Sequence, residues 1–278
     1  MTAPAQAQAP FRADHVGSLL RPAALAALRA AFKRGEADAA TLRAAEDAAI
    51  REAVARQQAV GLRSLTDGEF RRDWWHLDFL AQLDGVTLQD NEGPKFRIAG
   101  QEQPPIATVT GRVACSRPIM AEHFAFLKGV TTRTPKMTIP SPSMLHLRGG
   151  RAAISRDVYP DLDAFWDDVA AAYRQAIAHL ADAGCRYLQL DDITFAYLCD
   201  PKIQAQCRAN RHAQKHHAQK GDKQQGRDHG RAPCSADARR SRANSCKALA
   251  VVSAHSTGSQ TVYHHWGTPR DGDVTSKL

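Results

Sequence analysis

Arg186-Tyr187-Leu188-Gln189-Leu190-Asp191-Asp192 is a short apolar run that stops abruptly in two carboxylates. Upstream, Leu162 to Ala183 repeats apolar residues at helical spacing, and Gly184 lies between the two stretches. The order predicts a helix, a glycine that ends it, and a buried parallel strand. Folds built from such units gather their chemistry at the carboxyl ends of the strands, which is where Asp191 and Asp192 stand. The competing structural reading pairs these carboxylates with Arg63 or Arg186.

Two more stretches repeat the pattern. Leu62-Arg63-Ser64-Leu65-Thr66 reads as a strand ending at Asp67-Gly68-Glu69, preceded by a helical stretch, Ala39 to Val60, that Gly61 caps. Lys136 to Pro140 reads as a strand that Pro140-Ser141-Pro142 ends. A strand and turn over Phe11 to Leu19 comes first. Helices are predicted over Pro22 to Arg34, Asp73 to Leu83 and Met120 to Lys128, with a β-rich excursion over residues 84–113. Polar groups at three strand ends favour a (β/α) barrel over an open dinucleotide-binding sheet, and no Gly-x-Gly-x-x-Gly follows any strand. The expected fold class is α/β: a partial (β/α)8 TIM-type barrel with a basic, disordered C-terminal tail.

The tail is set apart by composition. Residues 1–200 carry 23 Lys+Arg against 24 Asp+Glu, and residues 201–278 carry 14 against 5, so the net charge of +8 comes from the tail. Its 78 residues include seven of the twelve histidines, no Glu, Phe or Met, and nine large apolar or aromatic side chains. Ordering each residue costs roughly 1–2 kcal/mol, and each buried large side chain returns at most roughly 1.5–3 kcal/mol, so nine cannot order the segment. The expected division is a disordered N-terminus over 1–10, an ordered portion over 11–206 and a basic low-order tail over 207–278. The run Ala248 to Ala254 and the patch Val262 to Trp266 are the exceptions. Neither a signal peptide nor a membrane span is legible, and the six cysteines form no Cys-x-x-Cys pair, so a reducing cytoplasm is expected.

The ordered set His15-Val16-Gly17-Ser18, Asp67-Gly68-Glu69-Phe70-Arg71-Arg72, Ile139-Pro140-Ser141-Pro142-Ser143 and Leu188-Gln189-Leu190-Asp191-Asp192, followed by Tyr197-Leu198-Cys199-Asp200-Pro201, resembles the catalytic barrel of cobalamin-independent methionine synthase and its single-barrel relatives. The resemblance covers about residues 11–200. It implies a methyltransferase that passes a methyl group to a zinc-activated thiol such as homocysteine, from a donor such as a methylfolate. It also implies that Ser18, Glu69 and Asp191 hold the amino acid part of that substrate, with His15 and Asp192 as neighbouring candidates. The family's zinc ligands, a His-x-Cys pair, a Glu and a later Cys, have no counterpart here, so neither a metal ligand nor a catalytic residue is assigned.

Beyond residue 206 the chain turns abruptly basic and Glu-free, as a reading-frame change or truncation would make it. Two other readings therefore stand beside the methyltransferase: an inactive barrel remnant, and non-specific polyanion binding through the tail, with nucleic acid disfavoured for want of a recognised fold.

Overall fold

The computed structural model describes residues 14–90, 104–194, 199–202 and 204–205, and the backbone of residues 260–263. The expectations for residues 1–10, Ala248 to Ala254, the remaining tail histidines and cysteines, and polyanion binding lie outside the described residues.

The chain opens with two helices, α1 (Ala23–Lys33) and α2 (Ala39–Ala59), and the Asp38 carboxylate caps α2 by accepting the Thr41 N–H at 2.6 Å. Next come β1 (Ser64–Leu65), a single turn α3 (Leu77–Leu80), and an antiparallel pair, β2 (Asp84–Gln89) with β3 (Ile106–Ala114). Then follow α4 (Ala121–Gly129), β4 (Thr134–Pro135), β5 (Met137–Pro140) and α5 (Met144–Leu147). Helix α6 (Leu162–Asp182) is capped by Asp161, whose carboxylate accepts the N–H of Asp163 at 2.8 Å, and it leads into β6 (Tyr187–Asp191) through Gly184 at φ +96°. That angle lies in the region that only glycine adopts freely, so the helix stops there. The last strand among the described residues is β7 (Gln260–Tyr263).

The parallel pairs fall in chain order. β1 pairs with β4, β5 with β6, and β6 with β7, while Ser18 bridges in parallel to Gly68. Only Lys136 separates β4 from β5, and its N–H donates to the Leu65 carbonyl at 2.8 Å, so the two run as one strand flanked by β1 and β6. Strand side chains alternate between faces. Leu65, Met137, Ile139, Leu188 and Leu190 enter two apolar clusters with the helices, the larger containing Phe165, Val169 and Tyr173 of α6. Ser64, Thr66, Lys136, Thr138, Tyr187 and Gln189 are buried as well, on the other face, and meet the segment 14–18. Among the described residues, no helix is long and apolar enough to cross a membrane.

Three expectations are corrected. The helix predicted over Asp73 to Leu83 shrinks to the single turn α3, and ahead of it the Asp78 carboxylate accepts the N–H groups of Asp73 and Trp74 at 3.0 and 2.8 Å in a turn. Residues 14–19 form no strand. The carbonyls of Val16 and Gly17 accept side-chain donors from Thr138, Gln189 and Thr66 instead of backbone N–H groups. The reading of Arg186 to Asp192 as the last barrel strand is also corrected: β7, overlapping the Val262 to Trp266 patch, pairs in parallel with β6 along its other edge.

Candidate functional site

A cavity of about 350 Å³ opens at the carboxyl ends of β1 and β6. Ser18, Glu69, Asp191 and Asp192 line it, together with Gln189 and an apolar wall of Val16, Trp75, Leu190 and Ile193. Four of the five residues singled out in the sequence thus share one cavity, and His15 is not among its lining residues. The His15 ring pairs through Nε2 with the side chain of Gln57 on α2 at 3.0 Å, below the site.

Glu69 owes its place to a strained turn. Gly68 sits at φ +67° and Glu69 itself at φ +59°, a left-handed conformation uncommon for a residue with a side chain. The Asp67 carboxylate holds the turn by accepting the Glu69 N–H at 2.9 Å. Arginines hold its backbone: Arg21 donates to the carbonyls of Glu69 and Arg72 at 3.3 and 2.5 Å, and Arg29 to that of Phe70 at 2.6 Å. Arg72, fully buried, donates to the carbonyls of Trp75 and Thr138 and lies 3.6 Å from the Glu69 carboxylate. Glu69 is 4% exposed. Burial pushes its carboxyl up to about 7 against the pull of Arg72, with the charges of Asp191 and Asp67 adding to the rise.

Asp191 and Asp192, neighbours in sequence, have different surroundings. Asp191 accepts from the Gln189 Nε2 at 2.5 Å, and its carbonyl accepts the Ser141 N–H at 2.8 Å. Asp192 accepts the Thr194 N–H at 2.8 Å and the Ser143 hydroxyl at 3.3 Å, which closes the turn after β6 onto the Ile139-to-Ser143 segment. The structural pairing of these carboxylates with Arg186 does not form: that guanidinium donates to the carbonyls of Ala181 and Cys185. Ser18 is exposed at the rim. Gly17 brings its segment close to β5, with φ +137°, and a Cβ there would stand 2.6 Å from the Thr138 Oγ1. Only glycine fits.

Sequence reasoning missed a second polar cluster at the amino ends of the strands. The Asp14 carboxylate accepts from Ser64 at 2.6 Å, from Lys136 at 3.0 Å and from the Tyr187 hydroxyl. Lys136, with a side chain 0% exposed, also donates to the His15 carbonyl at 2.5 Å. Burial pushes Asp14 up, but the hydrogen bonds from Ser64, Tyr187 and Lys136 outweigh it and leave the carboxyl at about 2. The signal was faint but present: Lys136 and Tyr187 are polar intrusions at the start of otherwise apolar strands.

Zinc that activates a thiol favours nitrogen and sulfur ligands. The cavity offers oxygens alone, and among the described residues no group of three or more His, Cys, Asp or Glu is arranged to hold a metal ion. The described residues do not fit that metal.

A family model described as cobalamin-independent synthase, catalytic domain, matches residues 11–208. Two uncharacterized proteins of Bacillus subtilis (strain 168), YxjH and YxjG, are 42% and 44% identical over 199 and 196 residues, covering 71% and 69% of this chain but 52% and 51% of their own length. The 5-methyltetrahydropteroyltriglutamate–homocysteine methyltransferase of Cronobacter sakazakii is 28% identical over 178 residues, 64% of this chain and 23% of that protein. A crystal structure from Listeria monocytogenes, solved under the provisional name vitamin-B12-independent methionine synthase, superposes with a TM-score of 0.66 at 34% identity, covering 92% of this chain and 65% of that one. The chain spans about half the length of these two Bacillus subtilis relatives.

Proposed function

This chain belongs to the cobalamin-independent synthase catalytic-domain family, and on that premise we propose that it acts in methyl transfer to a thiol of the homocysteine type, from a donor such as a methylfolate. Its parallel strands, taken in chain order, are the first part of a (β/α)8 barrel, and the cavity at their carboxyl ends holds the amino acid portion of the thiol substrate. The observation that carries the reading is that residues 18, 69 and 191, distant in sequence and borne by the segment 14–19 and by the ends of β1 and β6, line one cavity.

The chemistry of that set suits a zwitterion. A carboxylate about 4 Å from an ammonium gains about 4 kcal/mol at an effective dielectric near 20, and Glu69 and Asp191 supply two. The arriving cation also favours the ionised form of Glu69, whose carboxyl otherwise sits at about 7. Ser18, exposed at the rim, donates its hydroxyl to the substrate carboxylate. Trp75, Val16, Leu190 and Ile193 face the apolar side chain. Asp192 shapes the turn, and His15 anchors the segment that carries Ser18. In the family this resemblance points to, zinc makes the thiol a thiolate. The described residues do not fit it.

Calorimetric titration of the full chain with homocysteine under reducing conditions tests the reading. The wild type should bind, and Asp191→Asn and Glu69→Gln should each weaken binding about tenfold or more. Equal affinity in all three would remove it. Formation of methionine from homocysteine and the methylfolate tests the transfer itself.

A further inference from the structure

Gln189 is 1% exposed and lies two residues before Asp191 on β6, so the two side chains share a face. Its Nε2 donates to the Val16 carbonyl at 3.0 Å and to the Asp191 Oδ1 at 2.5 Å. A side-chain amide nitrogen has two donors, and both are committed. The two acceptors also fix which end of the amide is nitrogen, because the flipped amide would set its own oxygen against a carbonyl and a carboxylate. The Gln189 Oε1 is left buried, with no hydrogen-bond partner among the described residues. The amide's orientation therefore follows from what it donates to. The Val16 carbonyl takes a second donor, the Thr138 hydroxyl, at 3.1 Å, and Ser18 follows two residues later.

We propose that Gln189 is a positioning residue of the site: its single amide holds the Asp191 carboxylate and the Ser18-bearing segment in one register, so that the ammonium and carboxylate of an α-amino acid meet both at once. This inference rests on the zwitterion reading above and assigns to Gln189 the geometry that reading requires. Without the amide, Asp191 loses a charge-assisted hydrogen bond and Val16 loses its tie to β6, while the Tyr187 hydroxyl still holds Asp14 to that strand. Thr138 still holds the segment to β5, so the expected loss is of alignment rather than of fold.

Two substitutions in the full chain test this, with homocysteine as the titrant and thermal melts as the fold control. Gln189→Met keeps the volume and removes both donors, and the Kd is expected to rise about tenfold or more. Gln189→Glu places a carboxylate against the Val16 carbonyl and Asp191, so at pH 8 the loss should be larger. On acidification below about pH 6 the introduced carboxyl, buried beside an anion, takes up a proton, regains one donor and recovers affinity relative to the wild type at the same pH. Taking that ratio removes the pH dependence of the unmodified site, so what remains belongs to the introduced carboxyl and to the groups that couple to it, Asp191 and through it Glu69. A recovering ratio supports the role, since a packing defect alone gives a loss independent of pH. A pH-independent ratio, or wild-type affinity in Gln189→Met, overturns the inference and leaves the proposed substrate standing. Failure of the wild type itself to bind homocysteine removes that substrate, and this role with it.

Discussion

The two ends of the parallel strands solve the problem of buried charge in opposite ways. At the amino ends, Asp14 meets an ammonium and two hydroxyls, and its carboxyl is held down at about 2. At the carboxyl ends, Glu69 has a guanidinium 3.6 Å away, carboxylates for neighbours, a left-handed backbone, and a carboxyl pushed up to about 7. The first arrangement is closed within the chain and contributes stability. The second gathers carboxylates around a cavity on a left-handed turn, and strain of this kind collects at functional sites because the surrounding structure holds it there.

The contrast breaks hardest at Asp14. Asp14→Ala strands Lys136, wholly buried, without its counter-ion, and a buried charge left alone costs about 3–5 kcal/mol. Urea denaturation should register a loss of that size. Adding Lys136→Met should recover much of it, since a well-packed apolar pair often replaces a buried ion pair without loss. If the second substitution recovers nothing, the pair is not the organising contact of that end.

Glu69→Gln should move stability the other way. The folded state raises this carboxyl from the usual range to about 7, so between about pH 4.5 and 7 the folded chain holds a proton that the unfolded chain has released. The stability it confers is present below about pH 4.5 and lost as pH rises through 7. The variant should therefore be more stable than the wild type at pH 8, by up to about 3 kcal/mol from the size of the shift, while binding homocysteine less well. Asp14 runs opposite: its contribution is present above the unfolded value near 4 and is lost as pH falls through about 2. Melts across pH 2 to 8 should show both arms. Buried His15, His76, His123 and His146, whose protonation burial disfavours, raise stability with pH below about 6.5 in both proteins. Glu69 is therefore read from the difference between wild type and Glu69→Gln, and a difference that does not change between pH 5 and 8 would contradict its assignment.

The difference between the two ends also explains what could be read from the sequence. The helices at Pro22 to Arg34, Ala39 to Val60 and Leu162 to Ala183 and the strand at Tyr187 to Asp191 carry their own periodicity, caps and terminating glycines, and local signals of this kind survive into the fold. The carboxyl-end site was legible because its carboxylates lie where an apolar strand stops, an arrangement with little structural use. The amino-end cluster was not, because it joins positions 14, 64, 136 and 187 across four segments, and the polar intrusions Lys136 and Tyr187 do not by themselves say what they meet. Gln189 was quoted within the strand but assigned no role, since its amide gains meaning only from Val16, which lies 173 positions away. The missed turn at Asp73 to His76 has a local origin instead: the Asp78 side chain accepts the N–H groups of Asp73 and Trp74 and holds them in a turn ahead of the helix.

The finest test of the comparison lies within the carboxyl end, between two adjacent residues. Asp191 faces the cavity with an oriented carboxylate, whereas Asp192 caps the turn after β6 through Thr194 and Ser143. Asp192→Ala removes that cap and should cost about 1 kcal/mol in stability, the usual price of an Asx-type cap, with the homocysteine Kd changed by no more than about threefold. Asp191→Asn preserves shape and hydrogen-bonding capacity, so its stability should move by less, yet it should lose affinity about tenfold or more because a charge facing the ammonium is gone. Calorimetry and melts on the two variants together decide the division of labour. If Asp192→Ala weakens binding as much as Asp191→Asn does, both carboxylates serve the ligand and the turn is a secondary duty. If neither does, the anionic face of the cavity is Glu69 alone.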